Sequence, residues 1–160
     1  MTERRHTEAS RTHTAPPAPL PDQPIGAGTS SLASCDIIRF PEGLPGFEAC
    51  RGFVLAAAGD GLPVQRLESI EGPEARFLTI DPRHVLPTYR FELSNADRAR
   101  LASPEDTPLL WLAMVMLEAD GTITVNLRAP IVINPERMIG YQVMPYECLD
   151  PLRHVLAPAA

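Results

Sequence analysis

From Asp36 to Pro145 no apolar pattern of helical period runs far before Gly, Pro, Asn or Asp interrupts it, and that punctuation commits the chain to many short strands. Two segments alternate apolar and polar residues, Tyr89-Arg90-Phe91-Glu92-Leu93 and Thr122-Ile123-Thr124-Val125-Asn126-Leu127-Arg128, so each is predicted to be a strand with one face turned inward. Weaker strand candidates cover 37–40, 53–57, 64–70, 77–80, 131–133 and 139–144. The run from Leu109 to Leu117 is apolar throughout, and periodicity alone does not separate a strand buried on both faces from a buried helix. The turn signal Glu118-Ala119-Asp120-Gly121 behind it favours a central strand in a hairpin. A single helix is predicted, over 95–102, with Ser94 as N-cap and Asp97 at capping-box spacing; its thin apolar content places it on the surface. The predicted fold class is therefore mainly β: a small antiparallel β-barrel-like domain with one short surface helix.

Residues 1–35 contain no aromatic residue and carry Pro16, Pro17, Pro19, Pro21 and Pro24, so they read as a disordered Pro/Ser/Thr-rich tail. The folded domain is expected over 36–156, enough to bury roughly 65% of the surface its unfolded chain exposes. All 14 basic residues are arginine, set against 20 acidic ones, for a formal charge of -6. Arg4, Arg5 and Arg11 cancel Glu3, Glu8 and Asp22, so the whole excess belongs to the remainder. That balance argues against direct nucleic-acid binding, where cations must replace condensed counterions, and favours a basic protein partner, or none.

Cys35, Cys50 and Cys148 are odd in number and form no CxxC, so neither a disulfide framework nor a zinc site is signalled. Free thiols suit a reducing compartment. Arg4 and Arg5 have no apolar segment behind them, and the run 109–117 falls well short of the roughly 18 residues a membrane helix needs. The expectation is a cytoplasmic protein with no membrane partner.

The segment Phe40-Pro41-Glu42-Gly43-Leu44-Pro45-Gly46-Phe47-Glu48 is the most constrained. Pro41 keeps Phe40 extended, and Pro45-Gly46 fits the central positions of a type II turn. Phe40 and Phe47 are expected to return to the core from either side of a rigid loop, which is either a stiff connector or a recognition surface. Glu42 and Glu48 are a carboxylate pair without a sugar cleft, so solvated loop acids describe them better than an acid and base. Downstream, Asn126 to Pro135 begins as an amphipathic strand interrupted at Pro130, which marks either an edge open to a partner strand or a bulge that bends the sheet. His84 and His154 have no companion at metal-ligand spacing, and there is no GxSxG elbow and no phosphate loop. No catalytic residue, metal or cofactor is expected.

Three blocks in order, 40–48, then Ile80-Asp81-Pro82 leading to 89–93, then 124–134 with Gln142-Val143, resemble the flagellar assembly factor FliW family. The resemblance covers about residues 37 to 144. It implies a β-barrel-like protein without catalytic activity that binds the translational regulator CsrA, relieves its repression of flagellin mRNA, and binds flagellin as a chaperone-like partner. Glu42, Gly43, Pro45, Gly46, Phe47, Glu48, Asn126, Arg128 and Asn134 are the candidate partner-binding residues. The alternative is a small-molecule-binding β-barrel module, with the apolar run 109–117 as lining.

Overall fold

The computed structural model describes residues 36–145 and 150–157. The expected tail, Cys35 and Cys148 lie outside these residues. In chain order the elements are β1 (Ile38–Arg39), β2 (Gly52–Ala57), β3 (Val64–Ser69), β4 (Arg76–Ile80), α1 (Pro82–Val85), α2 (Asn95–Arg100), β5 (Leu110–Leu117), β6 (Ile123–Asn134), β7 (Ile139–Gln142) and β8 (His154–Ala157).

Strands β1 to β6 pair antiparallel with their chain neighbours, except that β1 is joined to β7 rather than β6, and β4 reaches β5 across the two helices. The β6–β7 pairing and a parallel contact of Arg39 with Ile139 close the sheet into a seven-stranded barrel. The closure is thus not wholly antiparallel as predicted. Strand β8 stands outside this ring, paired to the first half of β6.

The barrel interior is filled by Phe40, Phe53, Leu55, Leu67, Leu112, Ile131 and Ile133. Phe40 and Phe53 meet edge to face with centroids 5.0 Å apart. Two further clusters lie on the outer wall. Ile80, Ala113, Val125 and Leu127 are covered by Tyr89 and by Val85 and Leu86, while Val132, Tyr141 and Val143 are covered by Leu93 and Leu101. The connection between β4 and β5 therefore runs as a strap over the outside of β5, β6 and β7. This explains why 109–117 reads as uniformly apolar: β5 has the barrel core behind it and the strap in front.

The strap corrects the strand predicted over Tyr89–Leu93. Those residues do alternate between buried and exposed, with Tyr89 and Leu93 inward, but they belong to no sheet. The pattern reflects packing on the outer wall, which requires one-sided burial and no ladder. The predicted surface helix is present as α2, and Ser94 Oγ accepts the Asp97 N–H at 3.1 Å. A second helix was not predicted: at α1, Asp81 Oδ1 accepts the Arg83 N–H at 2.9 Å and Pro82 occupies the first turn.

At Pro130 the strand neither ends nor lies at an edge. β6 continues through it with β5 on one side and first β8, then β7, on the other. The β5–β6 register jumps from Leu112↔Ile131 to Met114↔Asn126, so residues 127–130 bulge. Within the bulge Asn126 Oδ1 accepts the N–H groups of Arg128 and Ala129, each at 3.1 Å. Leu127 donates to the Pro151 carbonyl at 3.2 Å, and the carbonyls of Leu127, Ala129 and Pro130 accept from the Tyr89 hydroxyl, Gln142 Nε2 and the Val143 N–H. Backbone groups that left the ladder are thus re-paired, and Pro130 brings no N–H that would need a partner. The bend lets one long strand serve two neighbours in turn and close the barrel.

Candidate docking surface

The loop 40–50 is a chain of three tight turns. Gly43 N–H donates to the Phe40 carbonyl at 2.9 Å, Phe47 N–H to Leu44 at 2.7 Å, and Cys50 N–H to Phe47 at 3.0 Å. In the second turn Pro45 and Gly46 hold the central positions, and Gly46 has φ +84, as a type II turn requires. Gly43 sits at φ +68 with the backbone of Phe47 and Glu48 packed against its Cα, so a side chain there has no room. Phe40 and Leu44 anchor the loop in the core. Phe47 departs from the prediction: it is 38% exposed, outside the buried core, and meets Phe77 edge to face with centroids 5.0 Å apart.

The two loop acids have different electrostatics. Glu48 Oε1 accepts the Gly46 N–H at 2.9 Å. That bond, followed by one from its own backbone N–H, holds its carboxyl below the usual carboxylate range against the opposing effect of desolvation. Glu48 thus stays anionic on neutral donors and keeps its full charge toward solvent. Glu42 instead forms an ion pair with Arg100 of α2. The Arg100 guanidinium carbon also lies 4.3 Å from the centroid of the Tyr141 ring, and Asp97 is 3.6 Å from its other nitrogen. Arg100 and Tyr141 were not singled out in the sequence, because nothing in local spacing links them to a loop so far away in the chain.

The remaining candidates fall into two places. Asn134, 1% exposed, donates from Nδ2 to the carbonyls of Leu101 at 2.9 Å and Ala102 at 3.3 Å, and its Oδ1 accepts the N–H groups of Glu136 at 3.0 Å and Arg137 at 3.3 Å. It fastens the end of α2 to the β6–β7 turn, on the same flank as the loop, but shows no surface to a partner. Asn126 borders the β6 bulge and Arg128 lies in it, where Arg128 Nε donates to the Asp150 carbonyl at 2.9 Å. The structure therefore groups Glu42, Gly43, Pro45, Gly46, Phe47 and Glu48 on one loop, all exposed but Gly43, and engages Asn126, Arg128 and Asn134 in hydrogen bonds elsewhere.

Among the described residues no group of three His, Cys, Asp or Glu side chains converges as a metal site does, and no helix is long and apolar enough to cross a membrane. The barrel interior that the small-molecule reading needs is occupied by side chains of the core.

The sequence model of the FliW protein family matches residues 25–155. The chain is 35% identical over 134 residues to the flagellar assembly factor FliW of Desulfitobacterium hafniense (strain DSM 10664 / DCB-2), covering 83% of this chain and 88% of the relative. It is 37% identical over 111 residues to the FliW of Caldanaerobacter subterraneus subsp. tengcongensis, covering 68% and 74%. A solved structure described as the flagellar assembly factor FliW aligns with a TM-score of 0.71 at 31% identity, over 81% of this chain and 91% of that one. These matches place the chain among regulatory or binding proteins rather than in a known enzyme family. The chain belongs to the FliW family of flagellar assembly factors.

Proposed function

We propose that this protein acts in the cytoplasm as an antagonist of the RNA-binding regulator CsrA and as a chaperone-like partner of flagellin, the two competing for it. While flagellin is retained in the cell it occupies the protein. Once flagellin is exported, the freed protein binds CsrA and lifts repression of flagellin mRNA. Family membership supports this reading, and the observation on the molecule that carries it is the rigid loop bearing Glu48, held anionic on a chain with a formal charge of -6. An RNA-binding partner presents positive potential, so complementary fields speed encounter, and an acidic protein seated beside an RNA site repels phosphate.

The test is a titration of a complex of CsrA and flagellin leader RNA with the purified protein, followed by flagellin. Release of RNA, then its recapture by CsrA when flagellin is added, is expected. RNA that stays bound throughout, with the protein shown folded by circular dichroism, rejects the proposal.

A further inference from the structure

On the outer wall of the barrel, α1 and the segment 89–91 bound a shallow groove of about 200 Å³ against β5, lined by Pro82, Arg83, Tyr89, Arg90, Phe91 and Trp111. Its lining holds two arginines and no carboxylate, on a chain that is acidic as a whole. The two cations differ. Arg83 is gripped by the carboxyl of Asp81 through two bonds, of 3.0 and 2.5 Å. Arg90 is exposed, donates to the Tyr89 carbonyl at 2.8 Å, and pairs with no carboxylate among the described residues. Beside it Phe91 and Trp111, both only partly buried, stack at a tilt with centroids 5.5 Å apart.

We propose that this groove docks an acidic peptide segment of a protein partner, with a carboxylate on Arg90 and an apolar side chain against Trp111. The size fits: ligand pockets for small molecules run to roughly 300–1,000 Å³, whereas one or two peptide side chains need less. The chemistry fits as well, since Trp, Tyr and Arg are the residue types in which binding energy concentrates at protein interfaces, and a guanidinium recognises a carboxylate with geometric specificity. Charge selects the place. An acidic segment is repelled by the molecule's net field and finds its complement at Arg90, whereas a basic partner is drawn to the acidic loop. The inference stands on the groove alone and does not depend on the identity of the partners proposed above.

Trp111 is the single tryptophan of the chain, so emission excited selectively over tyrosine reports directly on the groove. The probe is the blocked peptide acetyl-Glu-Glu-Phe-Leu-Glu-amide, with its Lys-for-Glu counterpart and sodium acetate as controls. A saturable change in Trp111 emission is expected with the acidic peptide and neither control, weakened about tenfold or more in Arg90→Glu and by less in Arg90→Gln. Unliganded spectra of both exposed-site variants should match the wild type. No saturable change up to millimolar peptide overturns the proposal. So does an equal response from acetate, which marks a simple anion site, from the lysine peptide, which marks apolar contact alone, or from folded Arg90→Glu.

Discussion

Tyr89 donates its buried hydroxyl to the Leu127 carbonyl at 2.9 Å, tying the strap to the bulge of β6. This one bond joins the two irregular segments of the fold. Replacement by Phe keeps the ring in the outer-wall cluster but leaves a bulge carbonyl without that donor. We expect Tyr89→Phe to lose about 1–3 kcal/mol in urea denaturation with an unchanged slope, the cost of an unsatisfied buried acceptor. A loss indistinguishable from zero would mean that water replaces the hydroxyl.

Asn134 is the second such junction, with both halves of its amide engaged. Asn134→Ala removes the donor to Leu101 and the acceptor for the β6–β7 turn, and a destabilisation of roughly 2–3 kcal/mol follows from the stranded groups. Asn134→Asp should be worse at neutral pH, because it sets a carboxylate against the Leu101 and Ala102 carbonyls. It should recover in part as acid protonates that carboxylate. Denaturation of both variants at neutral and acid pH decides this; an Asp variant as stable as wild type at neutral pH would contradict the assigned amide orientation.

How much of this could be read in the sequence depends on what each pattern senses. Alternation reports one-sided burial, and it holds for Tyr89–Leu93, which joins no sheet, whereas in β6, which is a strand, the polar Thr124 is buried beside Val125 and the alternation breaks. Pro130 was correctly placed at an irregularity, yet an edge and a bulge look the same from one strand, because the difference lies in β7 and β8. Helix α1 has its signal in Asp81-Pro82, a cap followed by a first-turn proline, but four residues are too few to show a helical period. Strand β8 gives no local signal: four residues opened by a histidine, ordered by pairing with β6. The loop 40–50 was legible because its turns are written in Pro and Gly, while its contact with Arg100 is tertiary and leaves no mark in spacing.

The attachment of β8 should weaken in acid. Glu118 accepts from the Thr124 hydroxyl at 2.8 Å and from Arg153 Nε at 3.0 Å, and these bonds, Thr124 first, hold its carboxyl below the usual range. A carboxyl depressed in the folded state adds stability above its unfolded value, near pH 4.3, and that contribution disappears as pH falls through the depressed value. Glu118→Gln should therefore be less stable than wild type at neutral pH, with the two denaturation curves converging as pH drops below about 4. Parallel curves across that window would show that Glu118 gains nothing from its partners.

Two glycines of the loop separate backbone strain from steric exclusion. At Gly46 an added Cβ meets nothing within 4 Å, so Gly46→Ala carries only the left-handed penalty, roughly 1–2 kcal/mol. At Gly43 the Cβ would fall 2.7 Å from Glu48 Cα and from the Phe47 carbonyl oxygen, both backbone. Gly43→Ala should cost distinctly more, read as a larger fall in Tm than for Gly46→Ala. The reverse order would show that the loop opens freely around residue 43 and is not preformed.

If the acidic loop meets CsrA, its two carboxylates should not contribute equally. Glu42 reaches the surface already paired with Arg100, so its carboxylate is engaged within the chain and less free to meet a cation of a partner. Glu48 is held by N–H groups that carry no formal charge, so its removal subtracts a full negative charge from the surface. We expect Glu48→Gln to weaken CsrA binding and flatten its salt dependence more than Glu42→Gln does, with the loss mainly in association rate, as for a charge at the rim of an interface. Glu42→Arg combined with Glu48→Arg should weaken binding further, because Arg100 is then faced by like charge. Binding kinetics across a salt series distinguish the cases, and a double variant with wild-type affinity and salt slope would move the CsrA contact to another part of the barrel.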